Sequence, residues 1–188
     1  MERNIEELWN KYNGLLGRLS DHGINTFLEK QGQRIAECTF NTKSSESFTG
    51  PGGLLEFSLN VAQSARSLND SLNLSCSVKS ILLTSLLSDV GRIGDLEEDA
   101  FVYQDSDWHR DKLKQLYKWN ENCSKMSMTH RTLFLLQHYG VKLNKEEWMT
   151  IQLSSGMHNE ENRFYLGENK GLIFLIQTAR QHVINTSA

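Results

Sequence analysis

A single proline in 188 residues is the feature that most narrows what this chain can fold into. Proline removes a backbone donor and clashes with the preceding turn, so it interrupts helices. Here it occurs once, as Pro51, inside Gly50-Pro51-Gly52-Gly53. The chain on either side is free to form long helices, and its apolar residues are spaced to do so. Ile5, Leu8, Trp9, Tyr12 and Leu15-Leu16 recur at helical intervals, which predicts a helix over about residues 3–19.

The same reasoning extends along the chain. A short helix near Ile24–Lys30 and a polar loop from Asn41 to Ser47 lead to the Gly-Pro punctuation. Leu54, Phe57, Val61, Ala65 and Leu68 then mark a helix over 54–68. Leu82, Leu83, Leu86 and Leu87 form the body of another over 77–90, which Gly91 is expected to end. Phe101-Val102-Tyr103 reads as extended and leaves room for one short β-hairpin near 98–105. Further helices are expected over about 107–119, 130–139, 145–154 and 170–184. Asn144 with Glu147 three residues on has the form of a capping box, and 155–169 reads as a loop. The expected fold is all-α, a compact bundle of about seven helices in a single domain.

Composition limits the partners. The formal net charge is −3 with acids and bases interspersed, so the basic footprint of general nucleic-acid binding is missing. Cys38, Cys76 and Cys123 form no CxxC pair, which argues for reduced thiols over a zinc ribbon or disulfide framework. The residues from Met1 to Trp9 are polar and lack a secretion signal's apolar core. The longest apolar run, Leu172 to Ile176, is far short of the roughly 20 residues that span a bilayer. The expectation is a cytoplasmic protein without a membrane partner.

Several segments, in order, resemble the metal-dependent phosphohydrolases of the HD superfamily, closest to a small single-domain phage and bacterial type. Gly52-Gly53-Leu54-Leu55-Glu56 is similar to the glycine-led segment before the first ligand histidine of that family. Leu86-Leu87-Ser88-Asp89-Val90-Gly91-Arg92-Ile93 is similar to the helix end that carries its His-Asp doublet. Arg131 to Gly140 and Glu146-Glu147-Trp148 are similar to later helices, Ile151 to Gly156 to the segment with a further histidine, and Ile176 to Arg180 to the segment with the final Ala-Asp. The resemblance implies an HD core over 51–184 and an N-terminal helical extension over 1–50, within one domain over 1–188.

The resemblance also implies a metal site whose ligands this chain has largely replaced. The corresponding positions hold Phe57, Ser88, Asp89, His130, Ser154 and Arg180. Two donors are fewer than the three or more that usually hold a catalytic metal, so no metal, cofactor or catalytic residue is expected. A carboxylate stranded at position 89 would need a counter-charge. Arg180 is expected to supply it through a two-pronged salt bridge. A metal site built from Asp89, His130 and His158 is the alternative.

Three functional readings follow. The first is a catalytically inactive HD-type protein, a sensor or sequestering agent. It would bind a nucleotide or other phosphorylated small ligand through Ser88, Asp89, Arg92, His130, Ser154, Ser155, Gln177 and Arg180. The second is a filled-in scaffold that engages a protein partner through its surface, consistent with Phe57 sharing a face with Leu54, Val61 and Leu68. The third is an active phosphohydrolase with a rearranged metal site. The serines favour the first by leaving space and donors; Phe57 favours the second by closing space.

Overall fold

The computed structural model describes residues 3–165 and 167–187. Eight α-helices carry the described chain: α1 (Ile5–Gly17), α2 (His22–Glu37), α3 (Gly53–Leu72), α4 (Val78–Leu87), α5 (Asp107–Leu113), α6 (Met128–His138), α7 (Lys145–Leu153) and α8 (Gly171–Thr186). Two 3-10 helices, Val90–Ile93 and Glu160–Tyr165, and two short strands, β1 (Phe101–Tyr103) and β2 (Tyr117–Trp119), complete it. The all-α expectation with one small strand pair holds. None of the helices is long and apolar enough to cross a membrane.

α3 is the central helix, packed on α1, α2, α4 and α8. It buries Leu54, Leu55, Phe57, Leu59, Val61, Ala62 and Ala65. Beyond its exposed first turn α4 is enclosed on all sides, with every residue from Ile81 to Leu87 buried, Thr84 and Ser85 among them. One core cluster joins Tyr12, Ile24 and Phe27 from α1 and α2 to Leu175, Ala179 and Val183 of α8. Polar caps start the helices, including Asn4, Asp21, Ser77, Ser127 and Asn144. The Asn144–Glu147 capping box is formed, and Glu147 also accepts from the Ser80 hydroxyl at 2.8 Å, fastening α7 to α4.

Three local expectations are revised. α2 runs from His22 to Glu37, well past Lys30. Its buried stripe of Ile24, Phe27, Leu28 and Ile35 is interrupted in sequence by Gln31 and Gly32, which hides the period. The helix expected over 107–119 ends at Leu113, where Lys114 turns left-handed at φ 56°. Residues 117–119 then pair antiparallel with 101–103, Phe101 opposite Trp119 and Tyr103 opposite Tyr117. The hairpin is therefore wider than 98–105 and carries α5 in its connection. Cross-strand aromatic contacts, edge-to-face at 6.1 Å in both pairs, favour the pairing.

The third revision concerns Gly91. α4 stops at Leu87, and Gly91 lies inside the following 3-10 helix without a left-handed conformation. Its role is close approach. A Cβ there would fall inside contact distance of the Met128 carbonyl oxygen and 2.7 Å from the Thr132 backbone nitrogen on α6. Gly91 N–H donates to the Thr132 hydroxyl at 2.9 Å. Gly91→Ala is expected to push α6 away and to destabilise the fold by about 1–3 kcal/mol, the usual range for overpacking. Urea denaturation checks this; an unchanged midpoint would show that α6 accommodates the methyl group.

Candidate functional site

The site begins where α4 ends. The Ser88 hydroxyl folds back onto the Thr84 carbonyl, and the chain leaves the helix at Asp89, which is fully buried. One 3-10 turn later, Arg92 returns to the same side. Arg180 reaches Asp89 from the middle of α8. Its two terminal nitrogens contact the two carboxylate oxygens separately: Nη1 meets Oδ2, and Nη2 meets Oδ1 at 3.2 Å. The expected two-pronged pair is thus formed between the end of α4 and α8. Arg92 Nε lies 3.5 Å from Asp89 Oδ1 without hydrogen-bond alignment, and its Nη1 donates to the Phe40 carbonyl at 2.7 Å.

Aromatic rings bracket these charges. Phe40 and Phe57 stack with centroids 3.7 Å apart, and Phe48 meets Phe57 edge-on at 5.4 Å. The Arg92 guanidinium lies 4.1 Å from the centre of the Phe40 ring, and that of Arg180 lies 5.3 Å from the centre of Phe57. Cation–π attraction of about 0.5–2 kcal/mol adds to the charge pairing on each side. Gly53 admits this arrangement, because a Cβ there would collide with the Phe48 carbonyl oxygen and sit 3.0 Å from Phe40 nitrogen. Burial by itself would raise the Asp89 carboxyl. Arg180, and then Arg92, outweigh burial and hold it below its ordinary value of 3.8. Burial, reinforced by the Asp89 charge, pushes the Tyr12 phenol far upward. Tyr12 stays neutral and donates to the Leu86 carbonyl at 2.8 Å.

Two cavities flank the cluster. On the α8 side an open depression of about 600 Å³ is lined by Ser154, Ser155, His158, Asn169, Gln177 and Arg180, among others, and no aspartate or glutamate lines it. Gln177 and Arg180 share a helix face at i, i+3. The Gln177 amide donates to the Leu153 carbonyl at 2.7 Å, the Ser154 hydroxyl to Ile151 at 2.8 Å, and Ser155 Oγ accepts from Asn159 at 2.8 Å. On the other side, a cavity of about 140 Å³ is lined by Arg34, Cys38, Arg92, Asp99 and Tyr117. Burial pushes the Cys38 thiol up to about 12, so it remains protonated.

The structure therefore brings Ser154, Ser155, Gln177 and Arg180 to one depression, and Asp89 and Arg92 behind it. Ser88 is enclosed and lines neither cavity. His130 is exposed on the first turn of α6 and also lines neither. Among the described residues, no three histidine, cysteine or acidic side chains converge as a metal-binding set, so Asp89, His130 and His158 are not assembled into one. Sequence reasoning missed Phe40, Phe48 and Tyr12. The first two sit on an aperiodic loop, and the third reads only as part of an apolar stripe. No family model, curated protein or solved structure matches the chain.

The pair makes two predictions. Arg180→Met leaves a buried carboxylate with one partner and is expected to cost about 3–5 kcal/mol; Asp89→Leu combined with Arg180→Met is expected to recover most of that. Chemical denaturation of the single and double variants checks this, and equal losses would mean that the pair is not the coupled unit. The second concerns pH. Because the native carboxyl titrates below 3.8, its stabilisation is complete above about pH 4 and is lost as pH falls through the native value. The melting temperature is expected to fall less steeply on acidification in the Asp89→Leu/Arg180→Met variant than in the wild type.

Proposed function

We propose that the protein is a non-hydrolysing HD-type protein that binds a nucleotide or other phosphorylated small molecule in the depression beside Arg180, in a sensing or sequestering role. The acid-free lining of that depression, with a guanidinium at its inner wall, carries the reading. A phosphate is held by cations and N–H or O–H donors and repelled by carboxylates. Asn169, the Ser155 hydroxyl and the second N–H of the Gln177 amide offer donors, while the Ser154 hydroxyl is committed to Ile151. Asp89 is screened by its two arginines. A volume of about 600 Å³ suits a ligand of nucleotide size.

The metal that the HD resemblance implies does not fit the residues present. Phe57 puts a ring where that family has a ligand, Ser88 is turned onto Thr84, and both Asp89 oxygens face Arg180. In this reading Arg180 takes over the charge that a cation would have supplied. The Phe40–Phe57 stack, which closes interior space, favours a second reading in which the fold serves as a scaffold for a partner.

Calorimetric titration with ribonucleoside and deoxyribonucleoside triphosphates, and with inorganic phosphate, tests the first reading. At least one nucleotide is expected to bind more tightly than about 1 mM and to be recovered intact. Thr178→Glu, which places a carboxylate in the depression, is expected to weaken binding at least ~tenfold, or 1.4 kcal/mol. Release of phosphate would overturn the non-hydrolysing assignment. Binding unaffected by Thr178→Glu would remove the depression as the site, and no binding across the panel would leave the scaffold reading.

A further inference from the structure

On the loop between the 3-10 helix Val90–Ile93 and β1, the chain concentrates acid: Asp95, Glu97, Glu98 and Asp99 within Gly94-Asp95-Leu96-Glu97-Glu98-Asp99. The loop is held rigidly. Arg34 of α2 donates to Asp99 Oδ1 at 2.7 Å and to the carbonyls of Ile93, Asp95 and Glu98 at 2.7–2.9 Å. Asp95 accepts from the backbone N–H groups of Glu98, Ser124 and Glu97 at 2.8, 3.0 and 3.1 Å, which keep its carboxyl well below the usual range. Asp95 and Asp99 are thus committed to structure. The Glu98 carboxylate accepts one hydrogen bond, from the Asn120 amide at 3.2 Å, and the Glu97 carboxylate has no ion-pair or hydrogen-bond partner among the described residues.

Beside the Glu97 and Glu98 carboxylates, neither of them ion-paired among the described residues, lies an apolar floor. Met126 and Phe134 are 39% and 40% exposed. They line one cavity of about 340 Å³ with Leu96 under the rim of Asp95, Glu97 and Glu98, and no basic residue lines it. Methionine and aromatic side chains left in water beside a polar rim are the composition of an interface centre. A rigid loop lowers the ordering cost that weakens association. A small cation is a poor fit, because Asp95 is occupied by backbone donors and no three-donor set converges.

We propose that this face docks a basic, amphipathic segment of a partner protein, inserting apolar side chains between Met126 and Phe134 and setting lysine or arginine against Glu97 and Glu98. The reading does not depend on ligand binding at the Arg180 depression, which lies on other elements. Charge complementarity selects the occupant: an acidic segment would meet only carboxylates here, and a purely apolar one would leave them without counter-charge.

Fluorescence anisotropy with a labelled helical Leu/Lys peptide, and with a Leu/Glu peptide of the same pattern, tests the proposal on the full chain. The Leu/Lys peptide is expected to bind in the micromolar range and the Leu/Glu peptide not to bind. Phe134→Ala and Glu97→Lys, both at exposed positions that leave the helical circular dichroism unchanged, are each expected to weaken binding at least ~tenfold. Glu6→Lys on α1, outside this face, is expected to leave it unaltered. Absence of binding, equal binding of the two peptides, or a loss from Glu6→Lys matching that from Glu97→Lys would overturn the proposal.

Discussion

Everything around the candidate site depends on keeping one buried carboxylate charged. Removing Asp89 from water costs several kcal/mol, and only close counter-charge offsets that. Arg180 supplies it from α8 and Arg92 from the next turn of the same chain segment. The pair therefore sets the separation of α4 and α8, and α3 must pack between its two neighbours at that spacing. A buried ion pair is a weak source of net stability but a demanding geometric condition.

The arginines in turn need flat surfaces. Phe40 provides one for Arg92 and Phe57 one for Arg180, the two rings stack on each other, and Phe48 meets Phe57 edge-on. Phe40 and Phe48 come from the loop before α3, whose tight approach to Gly53 leaves no room for a side chain. The loop and the ion pair are mutually dependent. Cations lying over aromatic faces lose little attraction in a dry interior, whereas the same contacts in water would be weak.

The charge pattern of the surface divides along similar lines. Carboxylates are excluded from the depression beside Arg180 and gathered on the loop beside Phe134. The two concave surfaces therefore differ in charge, one free of carboxylates beside the Arg180–Asp89 pair and one rimmed by them, the difference on which the two proposed occupants rest. The separation follows from where each loop is anchored. Asp95 and Asp99 bind backbone amides and Arg34, which fastens the acidic loop to α2, away from α8.

Local pattern in the sequence was sufficient for α1, α3, α4, α6, α7 and α8, because each carries apolar residues at helical spacing and most carry a recognisable cap. The pairing of Asp89 with Arg180 was not local: it was expected from a resemblance that set both at ligand positions and from the need of a buried acid for a base, and the two-pronged contact is present. Local pattern could not reveal α2's full length, where Gln31 and Gly32 break the period. Nor could it reveal the switch from helix to strand at 114–119, which rests on cross-strand partners ten and more residues away. Gly91 read as a helix stop; its close contact with α6 exists only once the helices pack. Phe40, Phe48 and Tyr12 joined the site, and His130 left it, for the same reason. Helical periodicity and charge demand are written in neighbouring residues, whereas ring stacking, cavity lining and the choice of which side chain faces a buried charge are settled by distances between segments far apart in the chain.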